Sequence, residues 1–272
     1  MKYIDEKNRF EFGKNWSNFL QFVNEERILE AQNSLKLMLN VDNLENKKFL
    51  DIGSGSGLFS LAARRLGASV VSFDYDINSV NCTNELKLKY YNNDNNWEVF
   101  QNSVLDIDFM KSLGEFDIVY SWGVLHHTGA MWLGIENSLQ KIKPGGLFFI
   151  ALYNDQGLKS HLWRLVKYLY NILPSPINIV FAYLLSFISN IFNIVKYTIL
   201  LKPQIAINSI FKTKIKRGMN FKNDMFDWFG GFPFEFVKFD TIINYFASRN
   251  FYLQNGKKTT SLGCHEFVFK KK

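Results

Sequence analysis

A chain of 272 residues that is 47% hydrophobic has material for one large core, or for a core with an elaboration. Two cysteines, Cys82 and Cys264, exclude a disulfide framework, and the opening MKYIDEKNRF lacks the apolar stretch of a secretory signal, so the expectation is a cytoplasmic protein. The formal charge of +7 is local: ten of the 32 cationic residues and no acid fall between Asp155 and Asp224, and the other 22 stand against 25 acids, so the basic field belongs to one inserted segment.

In chain order, residues Trp16 to Asn40 carry apolar positions at helical spacing and predict a leading helix or pair. From Lys48 to Tyr153, short apolar runs alternate with helical patterns: KFLDI, a helix from Leu58, SVVSFD, a helix from Asn78, WEVFQ, FDIVYS, a helix from Met131, then GLFFIALY. That alternation predicts an α/β fold, a mostly parallel sheet with helices on both faces. No internal repeat is present. Between Ile177 and Leu201 a single charge, Lys196, interrupts a stretch long enough to span a bilayer. Ser186, Ser189, Asn190, Asn193 and Lys196 recur at three- and four-residue steps and gather into one polar stripe, which argues against lipid on every side. The preferred reading is a helix packed over the domain; spanning, interfacial and dimerising helices are the alternatives. Phe239 to Arg249 reads as a helix, and FYLQN with CHEFVFK as an antiparallel hairpin closing the sheet. The resulting division is an N-terminal helical arm or lid (1–45), a ligand-binding α/β core (46–155), a basic, apolar helical insertion (156–238) and a C-terminal helix with two strands (239–272).

The most informative stretch is FLDIGSGSGLFSLA. Gly53, Gly55 and Gly57 between a strand and a helix let the chain turn sharply and let a ligand approach the backbone. Dinucleotide-binding proteins use a similar turn, but their G-x-G-x-x-G pattern would place its third glycine where Leu58 stands. Asp51 closes the first strand, Asp74 the second, and VLDIDF places Asp106 just after the third. In a doubly wound sheet all three line the crevice at the carboxyl edge. Three acids there suit a cationic ligand bearing a diol and an amino-substituted ring.

These residues resemble the class I S-adenosylmethionine-dependent methyltransferases over about Lys48 to Tyr153. The resemblance implies a Rossmann-like sheet, S-adenosylmethionine as cofactor with S-adenosylhomocysteine as product, and an enzyme of methyl transfer. It places Asp51, Gly53, Ser54, Gly55 and Gly57 under the methionine and ribose, Asp74 at the ribose hydroxyls and Asp106 at the adenine amino group, with Tyr75, Ser121 and Trp122 also expected to bind the cofactor. FDIVYSWGVLHHTG and LQKIKPGGLFFIALY also look like this family. FEFGKNW, ALYNDQG, DWFGGFPFE and LGCHEFVF are similar to a subgroup named by analogy with ubiquinone-biosynthesis enzymes and also met among genes for surface-glycan building; His265 stands where that subgroup usually has Asn.

A hydroxyl acceptor needs a base, and His126 and His127 follow the fourth strand. Adjacent residues leaving a strand point in different directions, so one faces the acceptor, and His127 is preferred; as polar caps of the next helix both would be structural. Asp106 has a competing role as a helix N-cap for the segment at Phe109, and Asp51 as a residue that orders the turn. Tyr153 and Asp155, leaving the fifth strand, and Trp228 and Glu235 in DWFGGFPFE are expected to reach the acceptor, against a competing reading of DWFGGFPFE as core packing. The cationic insertion suits an anionic small-molecule acceptor, such as a phosphate-bearing or nucleotide-linked surface-glycan precursor. Equally, it suits anionic lipid headgroups, with 177–201 as a peripheral membrane contact delivering a quinone ring. A cofactor-binding scaffold without turnover is a reading of another class. Nucleic acid is not expected as a partner, since only one basic cluster, KTKIKR, looks like a phosphate-tracking patch, and the scattered four histidines and two cysteines predict no metal. Oligomeric state is left open.

Overall fold

The computed structural model describes residues 23–200 and 228–272. The first part of the expected leading helix, the FEFGKNW motif and the KTKIKR cluster lie outside the described residues. Helix α1, Glu25–Leu39, begins where the Asn24 side chain accepts the Arg27 N–H at 3.0 Å and ends at Asn40 in the left-handed region. Five strands then alternate with helices: β1 Lys48–Ile52, α2 Leu58–Arg65, β2 Ser69–Asp74, α3 Ile77–Tyr90, β3 Trp97–Gln101, α4 Ile107–Ser112, β4 Phe116–Trp122, a 3-10 turn Leu125–His127, α5 Met131–Leu139 and β5 Ile142–Tyr153. Helices α6, Leu158–Ile172, and α7, Ile177–Ile199, follow; α8, Phe239–Ala247, precedes β6, Phe251–Lys257, and β7, Cys264–Lys271.

The sheet order is β3-β2-β1-β4-β5-β7-β6, with β1 to β5 parallel, β7 antiparallel to β5 and β6 antiparallel to β7. Because strand side chains alternate, β1 sends Phe49 to one face and Leu50 and Ile52 to the other. The first face packs under α1, α2 and α3 through Ile28, Leu35, Leu61 and Trp97; the second packs under α5 and α8 through Ile135, Ile242 and Phe246. A parallel sheet covered on both sides needs continuous apolar strands, as the burial of these residues shows. Strand β5 starts four residues before GLFFIALY, and its pairing with β4 is interrupted between Phe116 and Ile118, where Lys143 to Gly146 bulge out.

Two expectations are corrected. Helix α1 is part of the core: Ile28, Ala31, Leu35 and Leu39 are buried against the sheet's first face, so α1 is no lid. Helix α7 does not pack over the described part of the domain along its length: of its described side chains only Ala182 is buried, in a small cluster with Tyr170 and Phe229. Its apolar residues outside the polar stripe find no cover among the described residues: Phe187 and Phe192 stand 63% and 72% exposed.

Candidate active site

The order reverses between β2-β1 and β4-β5, so the carboxyl ends of β1 and β4 part and open a crevice. A cavity at this point is lined by Ile52 and Gly53 at the end of β1, by Phe73, Asp74 and Tyr75 at the end of β2, by Asn102, Ser103 and Val104 after β3, and by Val124 and Thr128 after β4. The glycines are there for geometry. Gly53 has φ +78°, and a Cβ on it would stand 2.4 Å from Val124 Cγ1; Gly57, also at φ +78°, would press a Cβ to 2.8 Å from the Thr83 backbone. The Gly53 and Ser54 N–H groups donate to the Phe73 carbonyl at 2.8 and 3.1 Å, which folds the loop over the end of β2.

Asp74 ties that loop from the other side. Its Oδ2 accepts the Gly55 N–H and its Oδ1 the Asp76 N–H, each at 2.9 Å, while the residue lines the cavity. Ser54 is nearly buried, its hydroxyl 2.9 Å from Thr83 Oγ1. Tyr75 lines the cavity and is 41% exposed. Asp51 lies beneath, 1% exposed: Oδ2 accepts the Ser60 hydroxyl at 2.5 Å, and Oδ1 is buried without a hydrogen-bond partner. Burial pushes the Asp51 carboxyl up to about 7, with the Ser60 hydrogen bond opposing and the charge of Asp74 adding to it.

Four expected positions fall elsewhere. Asp106 is exposed and absent from the cavity wall; its Oδ1 accepts the Asp108 and Phe109 N–H groups at 3.1 and 3.0 Å, capping α4. Asp106→Ala is therefore expected to cost about 1 kcal/mol of stability in chemical denaturation and to leave cofactor affinity unchanged by calorimetry. Ser121 is buried below the crevice, donating to the Ile52 carbonyl at 3.2 Å and tying β4 to β1. Trp122 packs against the first-face core. Asp155 forms the turn into α6, its Oδ1 accepting the Gly157 N–H at 2.7 Å.

The histidine turn is held by the DWFGGFPFE segment. The Glu235 N–H donates to the His126 carbonyl at 2.9 Å, and the Val237 N–H to the Tyr153 carbonyl at 3.0 Å. The Glu235 carboxylate accepts the Met131 N–H at 3.0 Å and is further stabilised by the Gly129 N–H, so it caps α5; burial nonetheless pushes it up to about 7. Trp228 belongs to the packing of the insertion, its ring 5.3 Å from that of Trp163 and 4.4 Å from Lys167 Nζ. Tyr153 is the hub, with ring centroids 4.1 Å from His126, 5.4 Å from His127 and 4.8 Å from Phe234. Of the acceptor residues expected, Trp228 and Glu235 thus act on the turn and the core.

The two histidines differ. His126 is fully buried, neither ring nitrogen has a hydrogen-bond partner of good geometry, and burial, then the charges of His127 and Lys167, holds it well below its ordinary range, opposed only by the Ala151 backbone. It is a core residue held toward its neutral form, and so the weaker of the two candidates for proton transfer. His127 Nδ1 lies 2.7 Å from the Pro233 carbonyl. A carbonyl accepts only, so Nδ1 carries the proton and Nε2 the basic lone pair. His265 is buried in β7 and accepts the Thr259 N–H at its Nδ1, 3.1 Å, so this departure orders the loop between β6 and β7. Reading for charge missed Asn102, Ser103, Val124 and Thr128; their signal was position, directly after β3 and β4.

Among the described residues no group of three or more His, Cys, Asp or Glu comes together as a metal site. A family model described as a methyltransferase domain matches residues 23–178, more than half of the chain. The chain belongs to that family, the class I S-adenosylmethionine-dependent methyltransferases. It is 31% identical over 139 residues to a ubiquinone biosynthesis O-methyltransferase of Pelagibacter ubique, covering 48% of this chain and 52% of that one. It is 33% identical over 119 residues to the enzyme of the same name from Brucella ovis, covering 41% and 43%. The matched segment spans about half the length of these relatives. Among solved structures, PKMT2 from Rickettsia typhi in complex with AdoHcy superposes with a TM-score of 0.61 at 14% identity, over 89% of this chain and 52% of that one. Magnesium protoporphyrin IX methyltransferase from Synechocystis with bound SAH gives 0.53 at 13% identity, over 90% and 83%. Both share the fold.

Proposed function

We propose that the chain transfers the methyl group of S-adenosylmethionine to a hydroxyl of a small lipophilic ring at a membrane surface, with His127 as general base. The observation that carries it is the 2.7 Å contact from His127 Nδ1 to the Pro233 carbonyl, which fixes the tautomer with its base at Nε2, on a turn whose neighbours Val124 and Thr128 line the cavity. The residues present fit the cofactor. Asp74 would take the ribose hydroxyls, Tyr75, Asn102, Ser103 and Val104 would hold the adenine, and the unsatisfied Oδ1 of Asp51 would meet the ammonium. Gly57 opens α2 without a side-chain cap, which suits a carboxylate at that N-terminus.

When bound, the cofactor supplies an electrophilic methyl on a sulfonium. The protein's part is alignment and the timely removal of one proton: His127 Nε2 takes it from the acceptor hydroxyl while Nδ1 stays bonded to Pro233. Tyr153 packs against the turn, and Phe234 packs against Tyr153.

Two features favour a ring at a membrane over a phosphate-bearing glycan precursor. Helix α7 has 23 residues, an 18-residue stretch of mean hydropathy 1.7 and apolar side chains on its exposed faces. The relatives' names point to quinone O-methylation.

The test supplies label in the methyl group and offers a prenylated catechol in anionic vesicles, the same catechol in detergent, and a nucleotide-linked sugar. Label is expected in the catechol, and the protein is expected to float with the vesicles. Label in the sugar alone would replace the acceptor class. Cofactor binding without transfer to any acceptor would favour the scaffold reading.

A further inference from the structure

Four buried polar side chains lie together on the face of the sheet covered by α2: Trp97 of β3, Ser72 of β2, Ser60 of α2 and Asp51 of β1, none more than 1% exposed. Trp97 Nε1 is 2.9 Å from Ser72 Oγ, Ser72 Oγ is 2.7 Å from Ser60 Oγ, and Ser60 Oγ is 2.5 Å from Asp51 Oδ2. An indole N–H only donates and a carboxylate only accepts. Ser60 therefore gives its one proton to Asp51, and at the middle contact Ser72 must be the donor. With Asp51 ionised every proton in the row points toward it, and its remaining oxygen, Oδ1, is buried with no partner.

We propose that Trp97, Ser72 and Ser60 form a one-way hydrogen-bond chain that holds Asp51 as the anionic receptor for the cofactor's ammonium, which makes Trp97 a positioning residue two strands away from β1. The inference rests on the cofactor reading above. A chain of donors strengthens as each link polarises the next. It opposes the burial that otherwise drives a proton onto Asp51. The groups facing Asp51 are Ser60 from α2, Ser72 and Tyr120 at its register positions on β2 and β4, and the charge of Asp74. Protonated Asp51 would meet the ammonium with no charge, so binding must expel that proton below about pH 7.

The experiment is calorimetric titration of the full chain with S-adenosylhomocysteine and with 5′-methylthioadenosine, which lacks the ammonium and the carboxylate, of which only the ammonium answers to the charge on Asp51, between about pH 6 and pH 8. Wild type is expected to lose about tenfold in homocysteine-nucleoside affinity per pH unit below about 7, releasing a proton on binding, while 5′-methylthioadenosine shows no such slope. Ser60→Ala is expected to weaken S-adenosylhomocysteine about tenfold at neutral pH and move its midpoint upward, with 5′-methylthioadenosine unchanged. Trp97→Phe, or Ser72→Ala where the smaller change is wanted, shifts the same midpoint in the same direction by less. Equal losses for both ligands in Ser60→Ala, or an unmoved midpoint, would overturn the chain and leave the cofactor reading standing. Failure of folded wild type to bind either ligand at any pH would overturn the cofactor reading, and this inference with it.

Discussion

Replacing His127 with alanine is expected to lower kcat by about two to four orders of magnitude while leaving cofactor affinity within about twofold. The size follows from what is lost: a positioned base whose tautomer is set by a backbone carbonyl that no side-chain substitution removes. Val124 and Thr128, its neighbours on the turn, line the cavity, so the cofactor's contacts on that wall are kept. His126 provides the contrast. It is fully buried against Tyr153 and His127, so His126→Ala opens a cavity and is expected to cost about 2–4 kcal/mol of stability, with turnover per folded molecule largely kept. Paired measurements of kcat and of unfolding midpoint separate the two. Full turnover in His127→Ala would sink the base assignment, and a collapse of turnover in His126→Ala with an unmoved midpoint would transfer the role to its neighbour.

The strands were legible in the sequence because each is a short apolar run ending in a turn residue, and β1 to β4 fall within one residue of KFLDI, SVVSFD, WEVFQ and FDIVYS. The glycine loop was legible for the same reason that it exists: only glycine fits φ +78° against Val124 at Gly53. Charge was the less reliable guide. Asp106 sits at the right edge of the sheet, yet it is spent on the N-terminus of α4, and the cavity is finished there by the uncharged Asn102 and Ser103. Glu235 and Trp228 look like binding residues in DWFGGFPFE, whereas the segment docks on the histidine turn through contacts about a hundred residues apart in sequence, which no local pattern encodes. Helix α7 is the opposite case: its polar stripe suggested a packed face, but a stripe says where water is tolerated and not which neighbour is present.

Asp74→Ala is expected to raise the dissociation constant of S-adenosylhomocysteine by about a hundredfold to a thousandfold. Two losses combine. The carboxylate would no longer meet the ribose diol, and the loop would lose the acceptor of the Gly55 N–H, which sits in the left-handed region at φ 56° and has Asp74 as its anchor to β2. The second loss is also a folding term, about 1–2 kcal/mol, so the unfolding midpoint should fall modestly. Asp74→Asn keeps one oxygen for one of the two amides and should fall between, near tenfold in affinity. The ligand pair that isolates Asp51 also isolates Asp74. Both ligands carry the ribose, so Asp74→Ala should weaken 5′-methylthioadenosine as much as S-adenosylhomocysteine, whereas changes along the Trp97 to Asp51 chain should weaken only the ligand that has an ammonium. If Asp74→Ala lowered stability and left both affinities intact, Asp74 would be a loop anchor alone, and the diol would have to be held by another wall of the cavity, where Tyr75 and Asn102 stand nearest in sequence to the ends of β2 and β3.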